Sequence, residues 1–456
     1  MSDPRTWRNR SPGDLSVALE EQAAGDVAAA VERSVRAAAG WRNTSLEQRK
    51  AILRDCQNRL RDRQEDLARL IALEVGKPLR EARLELGAVI AKFDLTFADA
   101  DRFVADQAVE DGPHPALVRR RARGPAAVIA PFNFPIHLGH GAAVAYLLAG
   151  NTVLFKPSPL AAGVGAAYAR EMSAVLPAGV FELVQGWGES GRELCLHPAV
   201  RSVCFTGSVP VGTALAKELA ADYSKSLALE LGGINSLIVC ADADLDLAAA
   251  AAADGLCLTT GQRCNATSRI FLEEKIAAGF VERFLKSLDR YQPGDPLDEG
   301  TFLGPLVSQA AVQRHAQFVS SSRPKLLAGE VCLEVNGKAG NYVRPVVFQG
   351  ADNFWVEEAF CPVAVVRPFS TFDEVLRHQS ALPHGLTASI FTSSEETFHR
   401  MGESLEVGNL YWNLPTTFSP STLPFGGLRA SGNGKPGGRG FIRFAADEQA
   451  VQWLRQ

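Results

Sequence analysis

The chain has 456 residues, 46% hydrophobic and 21% charged, with a formal net charge of −4. That composition is ordinary for a globular protein of two to three domains, and the weak acidity excludes a charge-driven partnership with nucleic acid or an anionic membrane. The eight cysteines are scattered without a Cys-x-x-Cys pair, which argues against a zinc site or disulfide scaffold and fits a reducing cytoplasm. No His-Glu-x-x-His occurs, and no metal is expected. The start, Met1-Ser-Asp-Pro-Arg-Thr-Trp, lacks an apolar core, so no signal peptide is expected. The longest apolar stretches, near residues 142–149 and 247–253, are too short to span a bilayer.

The first hundred residues predict helices. Thr44-Ser-Leu-Glu47 has capping-box spacing, and Leu53, Cys56, Leu60, Leu67 and Ile71 recur at helical intervals. Gly76-Lys-Pro78 ends that helix, and a second is expected from about 79 to 103. Asp111-Gly-Pro-His-Pro115 marks a loop or hairpin, and Arg119-Arg120-Arg121 with Arg123 reads as a solvated strand. From Gly124 the rhythm changes. Strands are expected at 126–130, 152–155, 180–184, 202–205 and 227–230. Helices fall between them at 135–149, 160–176 and 211–223, with a glycine loop and short helix after 184. This alternation implies parallel βαβ units in a doubly wound sheet. A partial restart follows, with a strand at 236–240, an alanine-rich helix at 245–257 and further alternation from 269 to about 391, which suggests a second α/β domain. The tail from Pro424 to Gly434 is a glycine-rich loop, and 450–454 is a candidate final strand.

Several segments could carry chemistry. Cys264 lies in the polar run Thr259-Thr-Gly-Gln-Arg-Cys264. A reactive cysteine needs partial exposure and surroundings that favour thiolate. Arg263 offers positive charge and Gly261 close backbone approach; an inert core cysteine is the even alternative. Gly186-Trp-Gly188-Glu-Ser-Gly191 follows a strand, but the next strand ends without the ribose-binding acid of a dinucleotide fingerprint. Phe205-Thr-Gly-Ser-Val-Pro-Val-Gly212 is the better phosphate cradle, since free N–H groups at a helix start attract anions; an unliganded tight turn is the alternative. Glu230 ends an apolar strand, where α/β sheets place their ligand crevice, and is either a general base or a structural carboxylate. In Pro131-Phe-Asn-Phe-Pro135, Asn133 could point its amide at an oxyanion or simply make a turn. Lys156-Pro-Ser158 could meet a ribose or phosphate or be solvated.

Together these motifs resemble the aldehyde dehydrogenase superfamily over nearly the whole chain. Pro-Phe-Asn-Phe-Pro, Phe-Thr-Gly-Ser-x-x-x-Gly, Leu-Glu-Leu-Gly-Gly and Gly-Gln-Arg-Cys recur in order. Glu357-Glu358-Ala-Phe360-Cys-Pro-Val363 resembles the family's Glu-Glu-x-Phe-Gly-Pro-Val, with Cys361 replacing the glycine, and Pro424-Phe-Gly-Gly with Ser431-Gly-Asn matches its closing loop. The resemblance implies an α/β fold with a Rossmann-like cofactor domain (1–105 and 123–229), a catalytic domain (230–423), and an oligomerisation element with the closing loop (106–122 and 424–456). It implies NAD or NADP as cofactor and a homodimer or dimer of dimers.

By the same resemblance Cys264 is nucleophile, Glu230 base, and Asn133 with the Cys264 N–H the oxyanion hole. Pro131, Phe132, Lys156, Ser158, Gly188, Gly207, Ser208, Gly212, Leu231, Glu358 and Phe360 would meet the cofactor. Thr-Gly-Gln-Arg-Cys, Tyr411-Trp-Asn and Ser431-Gly-Asn-Gly-Lys-Pro436 lean toward the N-succinylglutamate 5-semialdehyde dehydrogenase branch, implying that semialdehyde as substrate. Another semialdehyde, a CoA-acylating reaction or a non-catalytic binding protein are the rivals; Glu230 argues for hydrolysis. After Lys-Pro-Ser, relatives that prefer NAD often place a ribose-binding glutamate. Here Pro159 stands instead, so NADP should be tolerated.

Overall fold

Before the first helix the chain departs from the helical expectation. In the computed structural model, which describes residues 5–110, 112, 114–322, 326–328, 334–350 and 357–454, β1 (Thr6–Ser11) and β2 (Asp14–Ala23) form an antiparallel hairpin. Few of its side chains are buried, so no apolar alternation announced it. Contacts of its tip hold it in place. Asn341 N–H donates to the Pro12 carbonyl (2.8 Å) and the Tyr342 hydroxyl to that of Gly13 (2.9 Å). Asp111 and Pro113 of the expected turn, and parts of the expected 269–391 alternation, lie outside the described residues.

Four helices follow: α1 (Val27–Arg42), α2 (Leu46–Asp62), α3 (Gln64–Val75) and α4 (Leu79–Phe103). The single helix expected before Gly76 is two, broken at Arg63, whose φ of −102° and ψ of 8° leave the helical range. The capping box is Ser45 with Gln48, one residue later than expected, because the Thr44 hydroxyl donates to the Trp41 carbonyl instead. Gly76 closes α3 at φ +80°, a left-handed cap that favours glycine.

The next strands, β3 (Gln107–Val109) and β4 (Ala116–Ala122), pair with each other. Then β5 (Ala126–Ile129), α5 (His137–Leu148), β6 (Val153–Lys156), α6 (Ala162–Ser173), β7 (Phe181–Leu183), α7 (Gly188–Leu196), β8 (Ser202–Gly207), α8 (Val209–Leu219) and β9 (Ser226–Leu231) alternate as expected. The strands run parallel in the order β9-β8-β5-β6-β7. Residues 139–148 of α5 are all buried, an all-round apolar helix inside the core. Against β6, Phe155 stacks on Phe181 and meets Tyr168 edge-on.

The second unit contains β10 (Asn235–Val239), α9 (Leu245–Cys257), β11 (Thr267–Glu273), α10 (Ala277–Ser287), α11 (Gln309–Ser322), β12 (Leu326–Ala328) and the short β13 (Glu334–Val335) and β14 (Lys338–Ala339). It continues with β15 (Val346–Gln349), β16 (Val363–Phe369), α12 (Phe372–Ser380), β17 (His384–Gly385), β18 (Thr387–Phe391), α13 (Glu395–Gly402) and β19 (Asn409–Trp412). Its sheet order is β12-β15-β16-β11-β10-β18-β19, with only the β12 edge pair antiparallel. The tail adds β20 (Leu428–Arg429) to β17, β21 (Gly432–Asn433) to β9, and β22 (Ala446–Gln452) to β4. Among the described residues, no helix is long and apolar enough to cross a membrane.

Candidate active site

The carboxyl ends of β5, β6, β8 and β9 open into one cavity of about 1020 Å³, where a doubly wound sheet places its ligand. Every candidate site residue named from the sequence lines it except Gly212. Gly212 acts one layer back. A Cβ there would stand 2.5 Å from Leu231 Cδ2, so the missing side chain lets α8 lie on β9.

At one end lie Lys156, Ser158, Pro159, Trp187, Gly188 and Arg192. Lys156 is buried and its Nζ donates to the Pro157 carbonyl (3.1 Å). The Ser158 hydroxyl accepts from the Leu160 N–H (3.3 Å). The Pro159 carbonyl accepts from Trp7 Nε1 (3.2 Å) and Asn9 Nδ2 (2.8 Å), and the Trp7 ring meets Trp187 edge-on. Sequence reasoning passed over this end of the hairpin, because nothing in a mostly exposed strand signals a contact 152 residues away. Ser208 precedes α8 without a side-chain cap bond, and Gly207 and Ser208 line the wall. Uncapped N–H groups at a helix start fit a pyrophosphate.

At the other end stand Cys264, Glu230 and Asn133. Glu230 is 1% exposed on β9, beside Thr206 of β8 and Gly432 of β21. Neither carboxyl oxygen has a hydrogen-bond partner. Burial holds its pKa well above the ordinary carboxylate value, with Lys435 pulling the other way. Gly426, at φ +153°, makes room here, since a Cβ would stand 3.0 Å from Glu230 Oε2. Asn133 donates from Nδ2 to the Gln262 carbonyl (2.7 Å), which ties its loop to that of Cys264 and leaves one amide hydrogen over.

Cys264 is partly buried, the other described cysteines fully. The expectation that Arg263 holds it as thiolate needs correction. Burial, then Glu230 and Glu358, push the thiol well above its usual pKa, and Arg263 opposes them only in part. The guanidinium is paired with Glu81, 2.9 Å distant.

Glu358 closes the wall. Its Oε1 accepts from the Gly233 N–H (3.1 Å), and a Cβ on Gly232 would overlap its Oε2. Burial raises its pKa to about 8. Phe360 adopts φ +51°, uncommon for a bulky residue, and its ring packs edge-on against Phe132 at 5.7 Å. Arg314 of α11 pins this segment by donating from Nε to the Ala359 carbonyl (2.9 Å).

The chain is similar to known proteins over nearly its whole length. Residues 4–451 match the aldehyde dehydrogenase family. The N-succinylglutamate 5-semialdehyde dehydrogenase of Paraburkholderia xenovorans is 34% identical over 442 residues, covering 94% of this chain and 90% of that one. A 1-pyrroline-5-carboxylate dehydrogenase from Thermus with bound NAD superposes with a TM-score of 0.91 at 28% identity, covering 98% and 90% of the two chains. A glyceraldehyde-3-phosphate dehydrogenase from Methanocaldococcus jannaschii complexed with NADP gives 0.91 at 27% identity over the full length of both.

Proposed function

The chain belongs to the aldehyde dehydrogenase family, and from that premise we propose that it oxidises an aldehyde to a carboxylic acid with NAD or NADP as hydride acceptor. The observation that carries this reading is the pairing, in one cavity, of a partly exposed cysteine with a buried carboxyl whose oxygens are unbonded. The Cys264 thiol first releases its proton to solvent water; the resulting thiolate adds to the carbonyl, and the spare amide hydrogen of Asn133 with the Cys264 N–H stabilises the alkoxide. A bound nicotinamide would supply the hydride acceptor, and loss of hydride from the Cys264 adduct would leave a thioester. Glu230 then takes a proton from water, the hydroxide adds to the thioester, and Cys264 leaves as thiolate. The raised pKa of Glu230 makes its ionised carboxylate a stronger base than an ordinary glutamate.

Residues 1–105 and 123–229 form the proposed cofactor domain and 230–423 the catalytic domain. Residues 106–122 and 424–456 supply association and the closing loop, making a homodimer or dimer of dimers. The first aldehyde to test is N-succinyl-L-glutamate 5-semialdehyde, supported by the activity named for the relative at 34% identity. The test is the rise of reduced-nicotinamide absorbance with that compound, succinic semialdehyde and simple aliphatic aldehydes, with and without CoA. A clear preference in kcat/KM for an uncharged aldehyde overturns the substrate, and a CoA-dependent rate overturns hydrolysis. Cys264→Ala should abolish turnover and keep dinucleotide binding; an active variant removes the nucleophile assignment.

A further inference from the structure

The residues just before Cys264 hold an unusual backbone. Thr259 (φ 53°, ψ 31°), Thr260 (φ 55°, ψ 41°) and Gly261 (φ 68°) are consecutive left-handed residues. β-Branched side chains avoid that region, so the surroundings must impose it. Thr260 Oγ1 donates to the Gly304 carbonyl (2.9 Å). The chief constraint is a carboxylate on the first turn of α4. Glu81 is buried and accepts from the Thr259 N–H (3.0 Å), Thr259 Oγ1 (2.8 Å) and Arg263 Nη2 (2.9 Å). Arg263 Nε closes the ring by donating to Thr259 Oγ1 (2.9 Å).

One turn along the same face, Glu85 does the equivalent for the other loop. Its Oε1 accepts from the N–H groups of Ile136 (3.2 Å) and His137 (3.1 Å), where the Asn133 loop enters α5. Its Oε2 accepts from Lys77 Nζ (2.5 Å), and the pair is fully buried. The cations paired with the two carboxylates share an aromatic neighbour: Lys77 lies 3.7 Å and Arg263 4.9 Å from the Phe134 ring centre. We propose that Glu81 and Glu85 are positioning residues that set Asn133 against Cys264 by fixing the two loops that carry them. Their charges are spent on backbone and paired cations, and neither lines the reaction cavity.

The proposal rests on the roles given above to Cys264 and Asn133. Its test is the burst of reduced cofactor in Glu81→Gln and Glu85→Gln, with dinucleotide affinity measured beside it. A misplaced oxyanion hole should slow the burst by roughly tenfold to a hundredfold while cofactor affinity holds. The second readout is the pH midpoint for alkylation of Cys264 by iodoacetamide. Cys264 faces Glu230, Glu358, Arg263 and Tyr411. Removing the charge of Glu81 leaves the field of Arg263 uncompensated, so the midpoint should fall and alkylation near neutrality quicken as turnover slows. A residue that only stabilised the fold would not move that midpoint. Wild-type burst rates in both variants, or an unmoved midpoint in Glu81→Gln, overturn the proposal. If Cys264→Ala is inactive and Glu81→Gln and Glu85→Gln are unaffected, this inference alone fails; an active Cys264→Ala removes the reading beneath it.

Discussion

Glu230 carries a burial cost that its environment relieves only in part, through Lys435. Because the folded chain holds its proton more tightly than the unfolded chain does, stability should fall as pH rises from the ordinary carboxyl value of 4.5 through the raised one. Glu230→Gln lacks that titration, so its Tm advantage over the wild type should widen with pH across that window. Its turnover should drop by on the order of 10²–10⁴-fold, with the burst of reduced cofactor preserved. Equal turnover in stopped-flow traces would make Glu230 structural. Pro159 is a second residue-scale case. It lines the cavity beside Lys156 and offers a dinucleotide neither side-chain acceptor nor charge. NADP should therefore be accepted, and Pro159→Glu should shift the kcat/KM ratio toward NAD, because like charges set against each other cost several kcal/mol. Strict NAD use by the wild type would place discrimination elsewhere, with Arg192 and its partner Glu218 (2.7 Å) the next residues to change.

Among the elements, the N-terminal hairpin reaches furthest beyond its own contacts. β1 holds the Pro159 carbonyl through Trp7 and Asn9 and braces Trp187, while the tip bonds to Asn341 and Tyr342. One hydrogen bond and one aromatic contact amount to about 2 kcal/mol. Trp7→Ala should thus raise the KM for dinucleotide by up to about thirtyfold with little change in kcat; a lowered kcat at unchanged KM would show that the hairpin serves the chemistry instead. Most helices and strands of the two sheets were legible because their cores impose regular apolar spacing, as in α9, whose bounds agree with the sequence reading. The hairpin was not, because its side chains are largely exposed and its register depends on backbone pairing.

At the scale of the whole molecule, β22 lies along β4 from Ala446 opposite Ala122 to Gln452 opposite Ala116, and Arg123 pairs with Asp447 (2.7 Å). The three-stranded sheet β22-β4-β3 is not paired with the two large sheets, and β22 and β3 are its edges. Deleting residues 446–456 should convert the proposed homodimer or dimer of dimers to a smaller species in light scattering; an unchanged mass would move the interface elsewhere. By itself the sequence determined the βαβ order, the family and the candidates Cys264, Glu230 and Asn133, because apolar periodicity and short motifs are local properties of the chain. Only the tertiary structure decided what surrounds them. Arg263 was expected to serve the thiolate and does so only in part, because it is also paired with Glu81, 182 residues away. Gly212 was expected to face the cofactor and instead seats a helix on Leu231. Charge partners and close approaches depend on which distant segments share a buried volume, and packing, not sequence spacing, sets that.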